Sequence, residues 1–212
     1  MKRGRFISLE GGEGVGKSTQ ARLLESALAE RNIPAIITRE PGGTSGAEAV
    51  RSLLLDPENP DWGYRAEALL FAAARADHVE RCILPALQSG QWVICDRFID
   101  STRAYQGGDA GLSDAEILAL HAIGSGGLLP DRTFLLEVPA VITAQRLAKR
   151  DGTHADRIGG RDATFHEKVA RIFGQLAEAE PQRFCRITAD KSPEAVHQQI
   201  WQALQTMLAE PD

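Results

Sequence analysis

Short apolar runs punctuate the chain at residues 5–10, 35–39, 92–96, 133–138 and 183–188. Each is dominated by Val, Ile, Leu, Phe and Trp, is only a few residues long, and predicts a β-strand. Between them lie longer stretches with apolar positions three or four apart, which predict helices over 17–31, 45–55, 65–88, 114–124, 140–149, 165–179 and 193–208. Strands that alternate with helices from one end to the other predict crossover units, hence an α/β fold: a five-stranded parallel sheet flanked by helices in three layers. In such sheets a ligand lies beyond the carboxyl ends of the strands. The polar residues that follow each run are therefore the ones to read for chemistry.

No repeat or low-complexity tract interrupts this pattern, and residues 1–212 read as one domain. Residues 55–63, broken by Pro57 and Pro60, predict a loop. Residues 149–163, rich in Arg, Asp, Gly and His, predict an exposed mobile segment between helices. A net charge of −5 argues against a nucleic-acid-binding surface. The apolar stretch after the basic start breaks at Glu10, unlike a signal peptide, and no run is long enough for a membrane span. Cys82, Cys95 and Cys185 have no metal-binding spacing and predict reduced thiols in a cytoplasmic protein.

The first strand runs straight into Gly11, Gly12, Glu13, Gly14, Val15, Gly16, Lys17 and Ser18, followed by Thr19 at the start of a helix. Strand, glycine loop and helix in that order form a phosphate-binding P-loop. The backbone N–H groups curl around phosphate oxygens, Lys17 reaches the β- and γ-phosphates, and Ser18 ligates Mg²⁺. These residues predict a nucleoside triphosphate site. After the third strand, Asp96 is placed to hold the Mg²⁺ shell and Arg97 to fork onto a phosphate. After the second strand, Pro41, Gly42 and Gly43 make a tight turn that can present Arg39 to the same edge. Phe71 and Arg75 are four apart and share one helix face, where a ring and a guanidinium can stack on a base and bond its edge.

Residues 10–19, the turn from Thr38 through Arg39, Glu40, Pro41, Gly42 and Gly43 to Thr44, and the run 51–55 together resemble thymidylate (dTMP) kinase. So do residues 71–75, the segment 96–101, Tyr105 with Gln106 and Gly107, and Pro130 with Asp131. The resemblance spans nearly the whole chain and implies a P-loop NTPase fold whose reaction converts ATP and dTMP to ADP and dTDP with Mg²⁺, in the synthesis of dTTP. It implies that Phe71 stacks on thymine and Arg75 bonds its O4 edge. Gln106, with Thr102 nearby, reads N3 or its surroundings, and Tyr105 lies beneath the deoxyribose. Arg39 and Arg97 clamp the acceptor phosphate beside Ser101. Glu13 approaches the sugar 3′-OH and the Mg²⁺ water shell, and the loop containing Asp190 touches adenine. A homodimer follows by resemblance alone.

One branch of this family carries a catalytic arginine within the phosphate loop. Gly14 occupies that position here, so the resemblance implies that a lid, approximately residues 149–163, supplies the cation, as in the bacterial branch. Arg150 is the expected contact for the transferred phosphate, with Arg146, Arg157 and Arg161 as alternatives. Gly159 stands where the family commonly has glutamate. A nucleotide-driven switch of GTPase type is disfavoured because no N-K-x-D guanine motif follows any strand.

Overall fold

The computed structural model describes residues 3–59, 61–108, 111–139, 141–143, 146 and 157–209. The strands are β1 (Phe6–Glu10), β2 (Ala35–Arg39), β3 (Trp92–Asp96), β4 (Arg132–Glu137) and β5 (Phe184–Thr188), all parallel in the order β2-β3-β1-β4-β5. Successive side chains of central β1 point to opposite faces. Ile7 and Leu9 meet α1 (Lys17–Ala29) and α8 (Pro193–Ala209) through Leu24, Ile200 and Leu204. Phe6 faces the other layer, with Ala68, Ile83, Phe98 and Ile117. With both faces covered, the strands read as unbroken apolar runs.

The remaining helices are α2 (Ser45–Leu55), α3 (Tyr64–His78), α4 (Leu84–Gln88), α5 (Ile99–Tyr105), α6 (Asp114–Ser125) and α7 (Ala163–Ala179). Two features of the helices differ from the sequence expectation. The helix expected over 65–88 is a continuous column interrupted by a π-helical turn, Val79–Ile83, in which the Leu84 N–H reaches back to Val79 O. Pro85 follows directly: it has no N–H, and in a regular α-helix its ring would strike the carbonyl four residues back, a conflict that a wider turn relieves. Helix α5 was not legible in the apolar pattern. In the expected helix 140–149, residues 141–143 are helical, and all of the remainder but Arg146 lies outside the described residues.

Residues 157–163, expected to be exposed, are partly docked. Ile158 is buried with Tyr105, Val169 and Phe173, and the Arg157 N–H donates to Leu55 O at 3.2 Å. Among the described residues no helix is long and apolar enough to cross a membrane.

In register, Asp96 lies opposite Leu9 on one side and Arg39 on the other. The chain therefore leaves β1, β2 and β3 at one edge of the sheet. Strand order reverses about β1, with β3 on one side and β4 on the other, which opens the crevice where α/β sheets bind ligands.

Candidate active site

A cleft of about 690 Å³ lies over that edge. Its floor is the loop between Glu10 and Lys17. Gly16, at φ 101°, turns the chain into α1, and Thr19 and Gln20 donate to its carbonyl. Gly11 passes so close to β4 that an added Cβ would lie 2.4 Å from Leu136 O, which excludes any side chain there. The resulting cradle of N–H groups at a helix N-terminus suits an anion. Lys17 Nζ donates to Gly12 O at 2.7 Å and Gly11 O at 3.2 Å. Burial, reinforced by the charge of Arg97, pushes its ammonium down to about 8 despite Asp96, Glu13 and Glu10.

Ser18 Oγ donates to Asp96 Oδ2 at 2.8 Å. Neighbouring corners of an octahedron with Mg–O bonds of about 2.1 Å are about 3 Å apart, so this oxygen pair fits a Mg²⁺ ion. Among the described residues no cluster of three or more His, Cys, Asp or Glu side chains forms a metal cage. Mg²⁺ with phosphate ligands needs only one or two protein groups.

Arg97 adopts a left-handed backbone, φ 70°. Its N–H continues the sheet ladder to Leu9 O at 3.0 Å, and the turn then swings the guanidinium back over the cleft. There Nη1 donates to Gly11 O (3.0 Å) and Ser101 Oγ (3.1 Å), and Nη2 to Glu13 Oε1 (2.5 Å). The guanidinium also lies 5.1 Å from the centre of the Tyr105 ring. Among the described residues the buried Tyr105 hydroxyl has no hydrogen-bond partner. Glu10, fully buried at the end of β1, anchors the start of α5 by accepting from Phe98 N–H at 2.7 Å and Ser101 Oγ at 2.6 Å. Burial first, then the charge of Asp100, push its carboxyl up to about 8.

The far end of the cleft is built on α3. Phe71 and Arg75, which share a helix face as their spacing predicts, both line it. Arg75 Nε donates to Glu40 Oε2 and Nη2 to Thr102 Oγ1, both at 2.7 Å, and among the described residues Nη1 is left for a ligand. Glu40 Oε1 pairs with His78 Nδ1 at 3.1 Å, and His78 Nε2 lies 2.6 Å from Thr38 Oγ1. The acid–arginine pair is almost wholly buried, so removing either member would strand a charge. Gln106, 1% exposed, also lines the cleft and donates from Nε2 to Glu67 Oε2 at 3.2 Å.

Arg39 lines the cleft and donates to Glu48 Oε1 at 2.8 Å, while Gly43 N–H donates to the same oxygen. At the opposite mouth Ala189 and Lys191 form the wall; Asp190 between them is exposed and is not part of the lining. Arg150 lies outside the described residues. Of the alternatives, Arg146 lines the cleft, whereas Arg157 and Arg161 both point to Glu67.

Sequence reasoning gave no role to Arg51, Glu10, Glu40 or Glu67. Arg51 lines the cleft and donates to Pro41 O at 2.7 Å; its place in the 51–55 run was the one signal available.

The family model for thymidylate kinase matches residues 9–200. A thymidylate kinase from Rhizorhabdus wittichii is 55% identical over 205 residues, covering 97% of this chain and 99% of the relative. One from Rhodopseudomonas palustris is 48% identical over 211 residues, covering 99% and 92%. The crystal structure of thymidylate kinase from Ehrlichia chaffeensis is similar with a TM-score of 0.78 and 32% identity, covering 96% of this chain and 100% of that one.

Proposed function

The chain belongs to the thymidylate kinase family, phosphotransferases that make dTDP and ADP from dTMP and ATP on the route to dTTP, and from that premise we propose how its residues divide the work. The reading rests on one observation: the same cleft is lined by Lys17 and Ser18 at one end, Phe71, Arg75 and Gln106 at the other, and Arg97 between them.

Phosphoryl transfer asks a protein for in-line positioning and neutralisation of charge. The glycine loop 11–16 and Thr19 cradle the donor phosphates, and Lys17 balances their charge. Ser18 and Asp96 would hold Mg²⁺, which offsets further negative charge when bound. Arg39 and Arg97 hold the acceptor phosphate beside Ser101, and Glu13 steadies Arg97 near the sugar. Phe71 stacks on thymine, Arg75 donates through Nη1 to O4, and Gln106 Oε1 accepts from N3–H. Thr102 acts by holding Arg75, and the Tyr105 ring lies under the deoxyribose. The loop of Ala189, Asp190 and Lys191 borders adenine.

The transferred phosphate needs one more cation, since Gly14 supplies none. Arg150 stands as the lid contact expected from sequence. Among the described residues Arg146 is the lid arginine whose position at the cleft supports that role. The protein acts in the cytoplasm as a homodimer. Exposed apolar side chains on three neighbouring helices, Leu53 of α2, Leu69 of α3 and Ile123 of α6, support a self-association face.

Steady-state kinetics of paired variants tests the division. Ser18→Ala should raise the Mg²⁺ concentration needed for half-maximal rate while the dTMP KM stays within about twofold. Phe71→Ala should raise the dTMP KM about tenfold or more with the ATP KM unchanged. Effects on the opposite substrate in both variants would overturn the assignment.

A further inference from the structure

Glu67 is completely buried near the start of α3, and base recognition as set out above gives it no part. Its carboxylate is nevertheless shared between the cleft and the lid segment. Oε2 accepts from Gln106 Nε2 at 3.2 Å. Oε1 accepts from Arg161 Nη2 and, at 3.4 Å, from Arg157 Nη2. Arg161 is held in turn by its stack on Phe165, 4.7 Å from the ring centre.

A carboxylate paired with two arginines can only accept hydrogen bonds. A glutamine amide, by contrast, presents a donor or an acceptor according to a half-turn about its last bond. With Nε2 turned to Glu67, the end of the Gln106 amide left to face the cleft is Oε1, an acceptor.

The two pyrimidines differ in this respect. Thymine carries an acceptor at O4 and a donor at N3–H; cytosine carries a donor at N4 and an acceptor at N3. Arg75 has no acceptor form, so its polarity is fixed whatever surrounds it. Gln106 could reverse and satisfy cytosine N3 unless something prevents it.

We infer that Glu67 is a positioning residue that fixes the polarity of Gln106 and so excludes cytosine, with Arg157 and Arg161 as the cations that hold it in place. The inference rests on the reading in which Gln106 faces N3. The lid segment thereby contributes to base selection through Glu67, without touching the base.

The test is the ratio of kcat/KM for dTMP to that for dCMP. Glu67→Gln preserves volume but lets residue 67 either donate or accept, which frees the Gln106 amide to turn. The ratio should fall about tenfold or more, chiefly through a gain with dCMP, while the ATP KM is unchanged. In the double variant Glu67→Gln with Gln106→Glu, the amide at 67 donates to a carboxylate at 106 that again can only accept from the base. The ratio should recover towards that of the unaltered protein, which a merely structural role for Glu67 would not produce. Should the melting curve show that Glu67→Gln alone does not fold, the double variant carries the test.

A ratio within about twofold of the starting value in Glu67→Gln, or no recovery in the double variant, overturns the inference. Gln106→Met separates the two levels. If it leaves the ratio unchanged, the N3 reading itself fails; if it lowers the ratio while Glu67→Gln does not, only the role of Glu67 fails.

Discussion

Raising the pH should switch off capture of ATP before it affects the bound complex. Burial strips hydration from the Lys17 ammonium and Arg97 repels it, which lowers it from 10.5 to about 8. In the free protein, about nine-tenths of the molecules carry the charge at pH 7 and about one-tenth at pH 9. Only the charged form balances the donor phosphates. The kcat/KM for ATP reports the free protein and should therefore fall about tenfold over that interval. Once ATP is bound, its phosphates favour the ammonium and raise its pKa, so kcat at saturating ATP should stay nearly level. A coupled assay of ADP release at saturating dTMP, run from about pH 6.5 to about pH 9.5, gives both profiles. A kcat/KM that stays level to pH 9 would refute the claim that a buried, lowered ammonium meets the phosphates. A kcat that falls in parallel would show that bound ATP leaves Lys17 unpaired.

Two further outcomes follow from the geometry. Arg146→Ala should lower kcat about 10³-fold with the dTMP KM within about twofold, because a lid contact with the transferred phosphate forms in the transition state; an unchanged kcat hands the role to Arg150. For His78, burial would lower the imidazole pKa, but hydrogen bonds that the ring donates to Cys82 and Glu40, with the charge of Glu40, raise it from 6.5 to about 9. The folded state therefore holds this proton more tightly than the unfolded chain. Its stabilising contribution is complete below pH 6.5 and is lost as pH rises through about 9. Urea unfolding at about pH 6 and about pH 9 should show a smaller loss of stability in His78→Gln than in the unaltered protein, and an equal loss would contradict the buried pair.

The architecture was legible because a parallel sheet with both faces covered writes itself as apolar runs, and the glycine loop identifies which strand end matters. That Phe71 and Arg75 share one helix face was legible from their spacing of four; their place at the cleft came from the resemblance. The acids that support the site were not. Glu10, Glu40 and Glu67 have partners 91, 35 and 39 residues away or nearby in space only, with no motif linking them. Helix α5 escaped for a related reason. Ile99 and Ala104 enter the core while Asp100, Ser101, Thr102 and Arg103 all bond buried or half-buried partners, so polar side chains face inward and no apolar stripe forms. The π-helical turn could be anticipated only from Pro85, a signal that equally well ends a helix.

That crowding of α5 bears on how the protein can change. Each residue from Ile99 to Tyr105 already has an obligation: core packing, the Asp100 pairs with Arg103 and Arg183, the hydroxyl on Glu10, the hold on Arg75, or the ring beside Arg97. A substitution that alters one contact has no idle neighbour to absorb the disturbance. Mutational drift should therefore nearly halt along this segment. New substrate preferences would have to arise on α3 or in the lid, where exposed positions such as Ala73 leave room for change.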